Sequence, residues 1–217
     1  MGWTLAPHTG FCETGGELVF LDLVRDKYLA LRGEDRAAFE RLRAGEPNDS
    51  DMMTRLVATG LLGRCDGPTS IEPASVEIPS RDLAAARYNG FDLRMTVAAG
   101  LALRRARRAM RSERIAQTIK QARRRRSMIE QDCDEDAAEA TAASYAANRW
   151  LHPVPQRCLI DAHALDDIML ARGLRSTLVF GVRLLPFRAH CWLQTSSVIL
   201  TGTAAEARNF VPILVVK

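Results

Sequence analysis

An α+β fold in two parts is predicted by three features of this 217-residue chain. Strand-like and helix-like segments are segregated instead of alternating. A proline-rich stretch from Asp66 to Ser80 divides them. Apolar residues make up 47% of the chain, enough to bury a core and too many for a disordered one.

The amino-terminal part reads as strands, then helices. Glu17–Asp22 and Lys27–Leu31 are short, apolar-rich and bracket Arg25 and Asp26, which predicts a β-hairpin; Gly15 and Gly16 mark an earlier turn. Gly33–Arg43 is helical, with Glu34 and Asp35 in its first turn and Phe39 and Leu42 on one face. Asn48–Leu62 gives a second helix, with Asn48, Asp49 and Ser50 as N-cap candidates. Met53, Leu56 and Val57 form its apolar face, and Gly60 stops it. Residues 1–65 are therefore expected to form one compact unit. Residues 66–80, with Pro68, Pro73 and Pro79, read as an extended linker.

Residues 81–217 read as helices first and strands after. Leu83–Met128 is helical and basic in its second half, from Arg104 to Arg126, and an acidic stretch from Asp132 to Glu139 follows. The two runs are expected to pair across a helix turn or hairpin. Thr141–Trp150 is a further helix. Arg157–Arg172 is another, with apolar residues at helical spacing and Gly173 at its end. Ser176–Val182, Phe187–Gln194, Ser197–Thr201 and Phe210–Val216 are the strand candidates.

Composition narrows the chemistry. The net charge is only +4, and the five cysteines are odd in number with no CxxC pair, so neither a disulfide framework nor a zinc ribbon is expected. The first residues lack the basic and apolar regions of a signal peptide, and no apolar run approaches a membrane span. A reduced, cytoplasmic protein without metal or organic cofactor is the expectation.

Cys158 stands at a predicted helix start, where unpaired N–H groups, the helix dipole and Arg157 favour a thiolate. His190 lies mid-strand, 32 positions later, able to meet a thiol across a helix–sheet interface and move its proton. Free cysteines and strand histidines are also ordinary core residues. Cys191 points to the other strand face from His190 and is read as packing. Cys12, Cys65 and Cys133 have no histidine in matching context and are read as structural. His163 turns away from Cys158 along the helix, and Asp161 reads as a surface carboxylate.

Arg157-Cys158-Leu159 opening a helix, followed by Gly181-Val182-Arg183, Pro186-Phe187, Ala189-His190 and Trp192, resembles the leader peptidase of lasso peptide biosynthesis. That family is a transglutaminase/papain-like cysteine protease, with helices packed on an antiparallel sheet. The resemblance covers a catalytic core at about 150–217. The segment from Leu18 to Leu31, with helices ending at Leu62, is similar to the winged-helix-like element that recognises precursor peptides. The resemblance implies Cys158 as nucleophile and His190 as base. It implies leader binding by strand addition, with Lys27, Tyr28, Leu29 and Leu56 as pocket residues beside Lys27–Leu31 and Asp51–Leu61. It also implies a lasso precursor peptide as substrate, bacterial cytoplasm, and an ATP-dependent asparagine-synthetase-like cyclase as partner.

One departure stands out. Gly202 occupies the position where the family carries the aspartate that orients the histidine. Thr201, Thr203, Glu206 or a water could substitute, or the copy could be a weakened one that serves as a leader-binding scaffold. The arginine run suggests a further alternative, a DNA-binding winged-helix regulator. The absence of interleaved aromatics and the acidic run that follows favour a solvated face or a partner-docking surface over nucleic acid.

Overall fold

The computed structural model describes residues 2–83, 90–129, 134–153 and 155–217. Cys133, Asp132 and part of the helix expected from Leu83 lie outside the described residues. The chain starts with β1 (Gly2–Leu5), β2 (Thr9–Thr14), β3 (Glu17–Asp22) and β4 (Lys27–Leu31). Strands β2, β3 and β4 form an antiparallel sheet in that order, as the predicted hairpin requires. Asp22 closes the β3–β4 turn by accepting from the Val24 and Arg25 N–H groups, at 2.9 and 3.1 Å.

Helices α1 (Gly33–Ala44) and α2 (Ser50–Ala58) follow, and β5 (Leu62–Cys65) returns to pair with β1. Asp49 is the cap of α2, accepting from Met52 N–H at 2.7 Å. The helix ends earlier than the apolar pattern suggests. Gly60 adopts φ 74°, reverses the chain, and delivers Leu62 to a strand.

Both faces of the small sheet are buried, and strict alternation divides them. Phe11, Leu18 and Phe20 join Phe39 and Leu42 of α1 and Leu56 of α2 in one core. Three of these rings pack with centroids 5.0 to 5.4 Å apart. Cys12, Val19 and Leu21 point the other way and join the core of the carboxyl-terminal part. The run Leu18-Val19-Phe20-Leu21 is apolar at every position because neither face meets water. The opposite surface is supplied largely by the last strand of the chain.

Residues 66–80 are extended, with one isolated bridge between Ser70 and Thr4. They lie docked along the body. Ile71 is buried, Ala74 N–H donates to Phe11 O at 2.9 Å, and Gln194 Nε2 donates to Glu77 O at 2.8 Å.

The remainder runs β6 (Arg81–Asp82), α3 (Leu93–Ala109), α4 (Ile115–Ser127), α5 (Glu135–Arg149), α6 (Cys158–Ala171), β7 (Thr177–Leu184), β8 (Phe187–Gln194), β9 (Val198–Ile199), α7 (Ala204–Ala207) and β10 (Val211–Val216). The sheet order is β10-β7-β8-β9-β6, antiparallel except between β9 and β6. The long basic helix is broken in two. Met95, Ala99 and Leu103 bury one stripe on α3, and Ile115, Ile119 and Ala122 bury another on α4. Helix α5 starts at Glu135, six residues before the predicted start, because Asp134 accepts from Ala137 N–H at 3.0 Å.

The expected pairing of basic and acidic runs gives way to other partners. Arg105 and Arg125 both reach Asp167 of α6, at 3.2 and 2.5 Å, and Arg126 pairs with Asp166. Glu139 pairs instead with Arg81, at 2.5 Å. The reason is packing: α3 and α4 both lie on α6, so their arginines meet that helix's carboxylates. Among the described residues no helix is long and apolar enough to cross a membrane.

Strand β10 lies so close to β2 that a Cβ at Gly10 would sit 2.1 Å from Ile213 O. Gly10→Ala is therefore expected to wedge the two strands apart and lower stability by about 1–3 kcal/mol, read as a lower denaturation midpoint. An unchanged midpoint would show that this backbone approach carries no constraint.

Candidate active site

Helix α6 is apolar on nearly every side. Ala162, Leu165, Ile168 and Met169 are buried against Phe180, Cys191 and Leu193 of β7 and β8. Asp166 is a buried exception, held by Arg126 and by Ser176 Oγ, which donates at 3.0 Å. Asp161 is not the solvated carboxylate that its sequence position suggests. It accepts from Arg149 Nε at 2.5 Å, Tyr145 Oη at 3.4 Å and Arg157 N–H at 2.9 Å, which locks the start of α6 to α5. His163 is buried, and burial lowers its pKa; it takes no part in the helix mouth.

Cys158 is the first residue of α6, and its side chain is exposed. Arg157 precedes it in extended geometry and supplies no side-chain cap. The first-turn N–H groups thus have no capping side chain, which leaves donors for an anion. Cys158 lies near enough to add to the elevation of the Cys191 and Tyr28 pKa values, whose main cause in each case is burial. Cys191 is buried and packs, as alternation along the strand predicts.

His190 sits on β8 opposite Gly181 of β7. Its ring stacks on Trp192 at 5.8 Å and tilts over Phe210 at 5.0 Å. Gly181 has no side chain to block this packing: a Cβ there would lie 2.8 Å from the Trp192 ring and 2.9 Å from Phe210. His190 Nε2 is buried without a hydrogen-bond partner. Burial lowers the His190 pKa from its ordinary value, and the Glu206 carboxylate opposes the shift. The neutral imidazole is favoured.

The expected hydrogen bond between Cys158 and His190 is not formed. Alternation along β8 is the reason: Cys191 and Leu193 face the body of α6, while His190 and Trp192 face Phe210. The structure gathers His190, Glu206 and Gly202 on one side and Cys158, Cys191 and Tyr28 on the other.

Of the three substitutes for the missing aspartate, one reaches the imidazole. Glu206 Oε2 lies 4.0 Å from His190 Nε2, beyond direct hydrogen-bond distance. Thr201 Oγ1 accepts from Leu193 N–H at 2.9 Å, and Thr203 Oγ1 caps α7 by accepting from Glu206 N–H at 3.1 Å, so both are committed elsewhere. Gly202 takes φ 78°, and a Cβ on it would stand 3.6 Å from His190 Nε2. The site has space for a side chain that the sequence does not provide, while the left-handed backbone at Gly202 would strain it.

The residues proposed for peptide binding separate in the same way. Leu56 is buried in the small unit's core. Lys27 is exposed at the start of β4, the free edge strand of its sheet. Tyr28 and Leu29 line a groove of about 390 Å³ whose far wall is the β7–β8 turn, not α2. Tyr28 meets Phe187 edge-on at 5.3 Å. The wall residues Leu184, Leu185 and Phe187 are not among the pocket residues expected from the sequence. Their signal is an apolar pair at a strand end, Leu184 closing β7 and Leu185 in the turn, with Leu185 89% exposed.

Residues 96–215, more than half of the chain, match the Transglutaminase-like superfamily. A search of the curated proteins finds no match, and neither does a search of the solved structures. The matched stretch runs from α3 into β10 and contains Cys158, His190 and their sheet. The chain belongs to the transglutaminase-like superfamily.

Proposed function

We propose that this protein is a cysteine peptidase that removes the leader from a lasso precursor peptide. The observation that carries the proposal is an exposed thiol, Cys158, at the uncapped mouth of a buried helix within the superfamily's matched stretch. Tyr28 supports a peptide substrate. It lines the groove beside the free edge of β4. A leader added as a fourth strand on β4, in a unit that we read as winged-helix-like, would enter close to the thiol.

The chemistry follows from the parts. The Cys158 thiolate attacks the carbonyl carbon at the junction, and first-turn N–H groups of α6 stabilise the oxyanion. His190 accepts the thiol proton and passes it to the departing amine. Water then cleaves the acyl-enzyme, which frees the leader and regenerates the thiol. Nε2 of His190 faces Gly202 and Glu206, so Nδ1 is the nitrogen assigned to the thiol. In the unliganded protein His190 is stacked on the Trp192 and Phe210 side of β8, away from the body of α6, so the transfer requires the imidazole to leave that stack when the peptide binds. The freed core would pass to an ATP-dependent, asparagine-synthetase-like cyclase in a bacterial cytoplasm.

A second reading is favoured by Gly202: a leader-binding scaffold whose peptidase activity is attenuated. An orienting carboxylate 4.0 Å away holds the imidazole less firmly than a bonded one.

Three outcomes are expected. Mass spectrometry of a lasso precursor incubated with the protein should show a single cut, and Cys158→Ala should reduce its rate by at least about a thousandfold. Equal cleavage by both proteins would remove Cys158 from the mechanism. Gly202→Asp should raise the rate about tenfold or more if the scaffold reading holds; no gain would mean that Glu206 already suffices. The acid limb of kcat/KM should fall below pH 6.5, because burial lowers the His190 pKa. Glu206→Gln should move that limb lower still, since Glu206 raises the pKa. A limb above pH 6.5 would exclude His190 as the base.

A further inference from the structure

A cavity of about 650 Å³ has a wall dominated by arginines. Arg104, Arg107 and Arg108 come from the last turns of α3, Arg111 from just beyond it, and Arg157 from the mouth of α6. Their chemistry differs from that of the neighbouring arginines. Arg105, Arg125 and Arg126 each have an aspartate on α6. Among the described residues, none of the five cavity arginines forms an ion pair.

This arrangement works against the fold. Arg104 and Arg108 stand four residues apart on α3, and like charges at that spacing destabilise a helix. Concave walls also concentrate the positive potential. A stripe with an intrinsic cost and no internal counter-ion is explained by an external anion. Guanidinium groups favour planar, bidentate acceptors, which both carboxylates and phosphates offer.

Two observations select carboxylates on a peptide. Among the described residues the lining contains no aromatic, whereas single-stranded nucleic acid is held by stacking platforms. Arg157 also adjoins Cys158, whose thiol acts on acyl groups. We propose that the cavity binds an acidic segment of the peptide substrate, within a few residues of the bond that Cys158 attacks. The choice of a peptide and the location of the bond rest on the peptidase reading; the binding of a polycarboxylate does not.

The test uses full-length Cys158→Ala protein and a fluorescein-labelled hexaglutamate peptide, followed by anisotropy. Saturable binding is expected, at least about tenfold tighter than that of hexaglutamine and weakening with salt. Arg104→Glu/Arg108→Glu, at two exposed positions without ion pairs, should weaken hexaglutamate binding at least about tenfold. Arg157→Gln, on the opposite wall, should weaken it independently. Equal affinity for hexaglutamine, or undiminished binding by both variants, would overturn the assignment. So would tighter binding of a thymidine oligonucleotide of equal charge with the same loss in the variants. Cleavage is scored separately. Hexaglutamate binding without precursor cleavage by the unsubstituted protein would defeat the peptidase reading and leave the cavity assigned. Equal cleavage of an acidic precursor by the charge-reversed enzyme would overturn the placement beside Cys158.

Discussion

Helix α6 presents the thiol, and its seat depends on an ion pair that water does not reach. The Arg126 side chain is 3% exposed and that of Asp166 is 0%. Arg126 Nε also donates to Ser176 O at 2.9 Å, which ties α4, α6 and the start of β7 together. A buried pair of this kind adds little net stability, because both ions are desolvated. Its effect is positional: a rotation of α6 that separated the charges would strand both, at a cost of about 3–5 kcal/mol. Asp161 fixes the other end against Arg149 and Tyr145. With both ends held, the apolar body of α6 has one way to lie on the sheet, and Cys158 is left at its mouth.

The amino-terminal sheet is bound to that body just as firmly. Its own helices cover Phe11, Leu18 and Phe20, while the carboxyl-terminal core covers Cys12, Val19 and Leu21. Residues 1–65 alone would expose the second set, so binding by this unit is best studied in the full chain. The shared core also explains how a groove arises between β4 and the β7–β8 turn. Neither part of the chain supplies both walls.

The α+β class, the order of the helices and the strand at Phe187–Gln194 were legible because each rests on local pattern. Alternation marked β8, and helical spacing with Gly173 marked α6. The start of α5 at Glu135 was missed because Asp134 caps it six residues ahead of the apolar pattern. Within the candidate site, Cys158 and His190 were legible as residue types in a family pattern, as was the loss of the aspartate at Gly202. Which substitute carboxylate stands near the imidazole was not. Thr201, Thr203 and Glu206 are equivalent in the sequence, and only the α7 turn shows that both threonines are spent on backbone N–H groups.

By itself, the sequence determined which residues could do chemistry: one thiol at a helix start, one imidazole on a strand, and a glycine where a carboxylate is expected. It also determined that Cys191 and His190 point to opposite faces, since strand alternation is local geometry. Only the tertiary structure decided what lies on each face. Whether α6 covers the Cys191 side or the His190 side depends on how helix and sheet pack, and no local rule encodes that choice. The same holds for the arginines. Their spacing is visible in the chain, but carboxylates brought from α6 by folding separate those that are paired from those left facing a cavity.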